Sequence, residues 1–452
     1  MGYLAPAVFV VVQALAVLLF VMGMVTLANL VKGCFVLRRQ ARAGRQDYAP
    51  VILKSPLVPA VSTIAVPAGN LAESLQFVRR LLDLHFGRNE VVIVLDGPTE
   101  AELETWSREL RLCPSTRSIG RKLETASIRG VYESRDPIRV VVIDKTRGGT
   151  VDAWNAGVNA ATSPVIGLLD PETEFQPEVL LRLIQTMLES AEETVAVSGG
   201  VPAPPGTSLP SRFGALESLR AWMTWGAAGA GRNLTLPFPG CALLVRRDAI
   251  VQAGGFTGGS LELLVRLHGL ALAAGKPYRI AFLPLPVSHS RTPDTIHDLR
   301  RQVQREQVEI CEAFRKRVAI AGPFGWLALR GLYWTRSLRP KLETAAYVLA
   351  VAGLVAGWVD IFTFLLVLLS TAVMGMVLSM AAVVLRELAE PNSSDERRMT
   401  AMFLAAIPEN LGYRQLRNLW LIAGFHRAAD SEIQSRERTA EQPPPAASAT
   451  SE

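Results

Sequence analysis

From Val8 to Leu30 the chain reads VFVVVQALAVLLFVMGMVTLANL, without one charged residue. About 20 helical residues cross the hydrocarbon core of a bilayer, so this run predicts a membrane-spanning helix. A cleaved signal peptide is the rival reading. Against it, no basic residue precedes the run, it is longer than an h-region, and no small-residue cleavage site follows. Two more apolar blocks, Thr344–Trp358 and Ile361–Leu385, stand near the other end with Asp360 between them. They predict a transmembrane hairpin turning at Asp360. The flanking basic residues fall on one side of all three blocks. Lys32, Arg38, Arg39, Arg42 and Arg45 follow the first; Arg336, Arg339 and Lys341 precede the second; Arg386 follows the third. The positive-inside rule therefore predicts an outside amino terminus, with the middle and the carboxyl end in the cytoplasm. The formal net charge of +6 reads as membrane-facing charge. No basic-aromatic cluster points to nucleic acid.

Between the apolar ends the pattern changes. Residues 61–69 (VSTIAVPAG) read as a buried strand, and an amphipathic helix follows with Leu75, Val78, Leu81, Leu82 and Leu84 on one face. Glu90–Asp96 and Arg139–Asp144 are further strands, with a polar helix over Glu100–Leu112 between them. Gly148–Gly157 opens a helix, and Pro164–Leu169 is a fourth strand. Strands alternating with helices predict an α/β domain with a mainly parallel sheet over 55–320. Ligands bind at the carboxyl ends of such strands, where Asp96 and Asp170 stand. A charged helix is expected over Leu299–Arg317, and an interfacial helix over 321–342. The polar, Pro/Ala-rich tail 428–452 is expected to be disordered. Cys34, Cys113, Cys241 and Cys311 are scattered, which suits a reducing compartment and no zinc site.

The stretch Pro164–Phe175 (PVIGLLDPETEF) sets two acids, Asp170 and Glu172, at the exit of a buried strand. Two readings compete. Asp-Pro can start a helix, with Asp170 as cap and Glu172 in the first turn. A divalent ion holding a diphosphate instead uses both carboxylates.

The order of these segments resembles membrane-bound family 2 glycosyltransferases, the group of cellulose, chitin and hyaluronan synthases and related bacterial exopolysaccharide enzymes. VSTIAVPAGN is similar to their first strand and nucleoside-side loop, and EVVIVLDGPTE to the strand ending in an acidic-Gly turn. GGTVDAWNAGVNAA is similar to their Gly-Gly-Lys helix start. VIGLLDPETEF resembles the strand with the metal-binding Asp-x-Asp, and RRDAIVQAGGF with the LELLVRLHGLALAAGKPYRIAF stretch resembles the surroundings of their catalytic acid. ENLGYRQLRNLW resembles a cytoplasmic C-terminal segment of bacterial members. The resemblance implies a GT-A fold and inverting transfer from a nucleotide sugar, UDP-linked by preference, to a glycan or lipid-linked acceptor. It implies donor contacts at Pro67, Asn70, Asp96, Thr150, Asn155 and Asp170, and Mg2+ or Mn2+ on Asp170 and Glu172. Acceptor contacts fall at Gly240, Cys241, Gln302 and Arg305. The motifs are degenerate. The family's paired acid is Leu95, its lysine Thr150, its catalytic Glu-Asp Gly259-Ser260, and its motif tryptophan Glu306. With serine at the position of the base, Glu262 is the nearest candidate.

The resulting organisation is an N-terminal anchor with basic flank (1–45), the GT-A-like domain (55–320), an interfacial helix (321–342), a transmembrane hairpin (343–388), a cytoplasmic amphipathic segment (389–427) and the tail (428–452). The expected location is a bacterial inner membrane, multi-pass, with the domain cytoplasmic. Two functions remain open at this point: a glycosyltransferase of surface or extracellular polysaccharide, or a catalytically inactive subunit that scaffolds a partner polysaccharide synthase or export protein.

Overall fold

The fold was taken from a computed structural model. It describes residues 4–42, 55, 58–67, 70–134, 139–230, 240–275, 278–315, 334–389 and 396–423. Most of the expected interfacial helix, the residue Arg45 and the whole tail lie outside these.

The β-branched runs form the strands. β1 (Val61–Ala65), β2 (Asn89–Asp96), β5 (Arg139–Lys145) and β6 (Val165–Leu168) pair in parallel in the order β6-β1-β2-β5. Their side chains are buried on both faces, as a helix-covered parallel sheet requires. Further strands extend the sheet to nine, through antiparallel pairs except for β10, which pairs in parallel with β8. β4 (Ile128–Ser134) and β3 (Leu112–Pro114) add to the β5 edge. β9 (Ala242–Arg246), β8 (Thr194–Gly199) and β10 (Arg279–Leu283) add beyond β6. The order fits a GT-A-like α/β fold. Asp96 ends β2 and Asp170 follows β6, so both stand on the carboxyl rim with β1 between them, about 10 Å apart by strand spacing.

Helices cover both faces. α1 is Leu4–Arg42. α2 (Leu71–Leu82) is capped by Asn70, whose side chain accepts the Glu73 N–H at 2.8 Å, and α3 (Glu100–Glu109) has a Thr99–Glu102 capping box. α2 and α5 (Val179–Leu188) close one face through Phe77, Leu81 and Ile184. α4 (Thr150–Ala160), α7 (Arg247–Gln252) and α8 (Ser260–Ala273) close the other through Ala153, Ala156, Phe256 and Leu264. The small residues of α4 bring it close to the sheet: a Cβ on Gly157 would lie 2.6 Å from Ile64 Cγ2.

Asp170 does not start a helix. The Thr173 N–H bonds the Asp170 carbonyl at 2.9 Å, and the Glu172 N–H bonds Asp170 Oδ1 at 2.8 Å. This turn feeds β7 (Thr173–Phe175), which pairs antiparallel with β11 (Ser288–Ser290). The helix-cap reading is overturned because the β11 partner claims the backbone that a helix would need.

The apolar ends pack together. α6 (Leu209–Ala221) continues through a π-helical turn at Trp222–Ala227. α9 (Ile296–Arg315) crosses the domain face. After a turn at Trp334–Leu338 come α10 (Arg339–Val355), α11 (Ile361–Leu368) and α12 (Met374–Ala389). α1 buries Val12 and Leu19 against Ala346, Ala350 and Val367, and Leu30 and Leu37 against the Trp222 and Leu378 region. Two helical segments, Ala5–Arg42 and Ile361–Ala389, are long and apolar enough to cross a membrane. The expected third, α10, has 17 residues and begins with Arg339, Lys341 and Glu343, which leaves too little apolar length. Asp360 sits at the turn, its side chain accepting the Thr363 N–H at 3.2 Å.

The C-terminal segment is inside out. α13 (Glu396–Pro408) kinks at Gly412, with φ 141°, before helix resumes over 414–423. Glu409, Asn410 and Asn418 are 2%, 1% and 2% exposed, whereas Leu404, Leu411 and Leu419 are 59%, 59% and 55% exposed. The segment turns these polar side chains inward and these leucines outward.

Replacing Gly157 by Val should lower the thermal unfolding midpoint, since overpacking a core contact costs about 1–3 kcal/mol. Ile64→Ala in the same chain should recover part of the loss, read from the midpoints of both single variants and the double.

Candidate functional site

The rim is organised around Lys145, the last residue of β5. Its side chain has no exposed surface, and Nζ lies 2.5 Å from both Asp96 and Asp152. Asp96 also accepts the Gly148 and Gly149 N–H groups at 2.8 Å each. Burial would raise the Asp96 carboxyl, but Lys145 and the two glycine amides outweigh it and hold the pKa below its usual value. Asp96 is thus on the rim but committed to the loop that opens α4.

Two cavities adjoin on the rim. One, of ≈380 Å3, is lined by Asp170, Glu172, Gly240, Cys241 and Ser260, and by Gln302, Arg305, Glu306 and Glu309 of α9. The other, of ≈650 Å3, is lined by Thr150, Trp154, Gly258, Gly259 and Arg301. Both share Arg305 and Glu309. Residues 301, 305 and 309, and likewise 302 and 306, are one turn apart and share the helix face that walls the cavities.

Asp170 and Glu172 are brought together by their turn. Burial pushes the Asp170 carboxyl up; the Glu172 N–H and Arg305 oppose this, while the Glu172 carboxylate adds to it. Glu172 is ion-paired with Arg305, and the two side chains are 62% and 61% exposed. An exposed pair of this kind contributes about 0–1 kcal/mol, so it breaks readily when another cation or an anion enters. Glu306 forms a hydrogen bond with Gln302 at 3.3 Å and faces Arg336 at 3.6 Å; burial pushes its carboxyl up, against Arg336.

Of the expected donor residues, Thr150 lines the larger cavity. Asn70 caps α2, and Pro67 stands two residues beyond the end of β1. Asn155 is a clip: its side chain donates to the Phe256 carbonyl at 3.0 Å and accepts the Phe256 N–H at 2.7 Å. Trp154 packs edge-on against Phe256, 4.9 Å between ring centroids. The four expected acceptor residues, Gly240, Cys241, Gln302 and Arg305, all line the smaller cavity.

Glu262 is placed differently. It is 5% exposed, and its carboxylate accepts from the Thr257 hydroxyl at 2.7 Å and pairs with Arg266 at 2.8 Å. It lines neither cavity. The carboxylate that does reach the base loop is Glu309. Its Oε1 accepts the Leu261 N–H at 3.4 Å, and any side chain at Gly259 would collide with it. Glu309 and Lys145 are the residues that sequence reasoning missed. The signals were present: Glu309 stands one and two turns from Arg305 and Arg301, and Lys145 ends a buried strand.

A model of the Glycosyl transferase family 2 matches residues 63–250, and one of the Glycosyl transferase family group 2 matches residues 165–385. The chain belongs to glycosyltransferase family 2. Among solved structures, this family 2 chain is similar to the mannosyltransferase PcManGT from Pyrobaculum calidifontis, in complex with GDP-Man and Mn2+. The identity is 15%, over 89% of this chain and 99% of that one, with a TM-score of 0.51; the likeness shows the GT-A fold. Glucosyl-3-phosphoglycerate synthase from Mycobacterium tuberculosis, in complex with Mn2+, UDP and phosphoglyceric acid, matches at 13% identity over 62% of this chain and 86% of that one, with a TM-score of 0.36. No curated protein sequence matches the chain.

The mannosyltransferase structure holds Mn2+. Among the described residues no three His, Cys, Asp or Glu side chains converge as a metal cage, so the chain offers the two oxygen donors of Asp170 and Glu172. This set fits a hard cation such as Mg2+ or Mn2+, which binds through one or two carboxylates and takes its remaining ligands from phosphates and water.

Replacing Lys145 by Met leaves Asp96 and Asp152 facing each other without a cation, and should destabilise the protein by about 3–5 kcal/mol in urea unfolding. The pH dependence has a definite sign. Folding lowers the Asp96 pKa, so the stabilisation is complete above the unfolded value of 3.8 and is lost as pH falls through the lower folded value. Lys145→Met should flatten that acid limb.

Proposed function

We propose that the chain is a membrane-anchored family 2 glycosyltransferase of surface or extracellular polysaccharide synthesis, with its GT-A domain in the cytoplasm. One observation carries the reading: a single cleft gathers Asp170, Glu172, Arg305 and Glu309. Membrane attachment is supported by the two long apolar helices and the inward-facing polar side of the C-terminal segment. The basic residues at the end of α1, Lys32, Arg38, Arg39 and Arg42, support a bacterial inner-membrane orientation with the domain inside.

Asp170 and Glu172 would hold the divalent cation that accompanies a nucleotide sugar. When bound, the cation neutralises charge on a departing diphosphate. Arg305, released from Glu172, turns its guanidinium to a phosphate oxygen. Glu309 accepts the proton of the acceptor hydroxyl. That oxygen forms its bond to the anomeric carbon as the carbon–oxygen bond to the diphosphate breaks, with inversion, and the nucleoside diphosphate carries away the bonding electron pair. Glu309 on α9 thus takes the role that Ser260 cannot fill and that Glu262, bound to Arg266, is not placed to fill.

A second reading, an inactive subunit that scaffolds a partner synthase, is favoured by Leu95, Ser260 and the commitment of Asp96 to Lys145. Titration with UDP and GDP, with and without Mn2+, followed by assay on their sugars, separates the two. We expect metal-dependent binding that Asp170→Ala abolishes. Glu309→Gln should keep binding but lower turnover by about 10²–10⁴, and Ser260→Ala should change little. Wild-type binding without turnover would favour the scaffold.

The same titration carried down in pH reads Asp170 directly. Its pKa is raised, so metal-dependent binding should begin to fail on acidification at a pH above that set by an ordinary aspartate of 3.8. At Mn2+ well below saturation, metal-dependent binding retained in Asp170→Asn would remove Asp170 from the metal set.

A further inference from the structure

Beside the cleft, a cavity of ≈310 Å3 lies between α1, the end of α6, the Trp334–Leu338 turn, the start of α10 and the 409–418 segment. Val21, Met22 and Val25 of α1 form an apolar wall, and the opposite wall is charged. Its ion pairs can be counted off. Arg220 bonds Glu409 at 2.5 Å. Arg414 clasps both oxygens of Glu343 at 2.8 and 3.0 Å. Arg417 pairs with Glu217. These three pairs use every glutamate among the described lining residues, while two lining arginines are left over. Arg336 shares Glu306 at 3.6 Å, outside this cavity. Arg339 is the true excess. It is 8% exposed, and its Nε and Nη2 meet no hydrogen-bond acceptor among the described residues. The Glu343 it faces is 3.9 Å away and already taken.

A buried guanidinium with unmet N–H groups is costly unless an anion completes it, and a charge facing an interior cavity of a membrane bundle marks a ligand path. The surplus Arg339 with Arg336, only loosely paired to Glu306, suits a phosphate, whose several oxygens take forked donors. The α1 wall adds the second half of the ligand. Val21 and Val25 are 50% and 57% exposed on the apolar helix, so whatever binds the arginines can lay a hydrocarbon chain beside them. The route to the cleft is also built: Ala221, Trp225 and Arg336 line both cavities.

We propose that this cavity binds the phosphate headgroup of a membrane lipid on Arg339 and Arg336, with the tail along α1, and so holds a lipid-linked acceptor at the mouth of the cleft. The acceptor role rests on the transfer reading above; the lipid site does not.

The test uses the full chain in phosphatidylcholine bicelles, with radiolabelled phosphatidic acid as the probe and inorganic phosphate as the competitor. Wild type should show one saturable phosphatidic acid site that excess inorganic phosphate does not empty. Arg339→Gln should weaken it at least about tenfold without lowering the thermal midpoint, because its Nε and Nη2 meet no acceptor among the described residues and Glu343, 3.9 Å away, is held by Arg414. Met22→Trp, which fills the apolar end and leaves every charge in place, should also weaken it, and keeps the test sound if the first variant misfolds. Binding unchanged in both variants, or no preference for phosphatidic acid over phosphatidylcholine, would overturn the proposal. Equal displacement by inorganic phosphate would overturn the lipid and leave a free-anion site. Nucleotide binding followed in the same samples separates the two claims. Its absence in wild type with the lipid site intact would remove the transfer reading alone.

Discussion

The rim of the sheet depends on one buried ammonium. Lys145 stands between Asp96 and Asp152, so the trio carries one negative charge more than positive. That surplus is met by the Gly148 and Gly149 N–H groups and by the positive end of α4 directly behind them. The consequences run outward from there. The knot sets where α4 begins, α4 presses Gly157 against Ile64, and Asn155 of the same helix ties down Phe256 through two hydrogen bonds. Phe256 leads into the loop on which Gly258, Gly259 and Ser260 face the cavities. An acid that resembles a nucleotide contact in the sequence therefore positions, three steps removed, the loop across from the reacting groups.

What the sequence made legible follows from how local each signal is. The strands β1, β2, β5 and β6 are short β-branched runs closed by Gly, Pro or an acid, and a parallel sheet with its acids on one rim is nearly the only way to bury them. The apolar run of α1 is equally local. The Asp-Pro pair was ambiguous because a helix cap and the turn into β7 use the same first residue, and only pairing with β11, more than a hundred residues on, decides between them. Lys145 reaches Asp96 across 49 positions, which no spacing rule covers. The C-terminal segment exposes a different limit. Periodicity tells which residues share a helix face but not which face meets the solvent, and here Glu409, Asn410 and Asn418 turn inward because their partners, such as Ser379 and Arg220, are inside.

The carboxylates have been redistributed between elements. At the start of α8, where resemblance places an acid, the chain has Ser260, and the nearby Glu262 is neutralised by Arg266. α9 presents a face that carries both signs of charge: Arg301, Arg305 and Glu309 on one row, Gln302 and Glu306 on the next. On the proposed reading the base stands on a helix and not on a loop, which gains rigidity but ties the chemistry to how that helix is held. α9 is anchored at Leu299 and Val303 against Phe213, Tyr413 and Trp420, so the cleft wall and the C-terminal segment are one packed unit.

The pairing of Arg305 with Glu172 also describes the cleft before any ligand arrives. With the guanidinium resting on the turn, the pocket is close to electroneutral and needs no counter-ion from solution to hold its shape. On the proposed transfer reading, loading it is an exchange of one cation for another, with the displaced arginine freed as an anionic diphosphate comes within reach. The ion pair is weak enough to be opened by either the metal or the diphosphate.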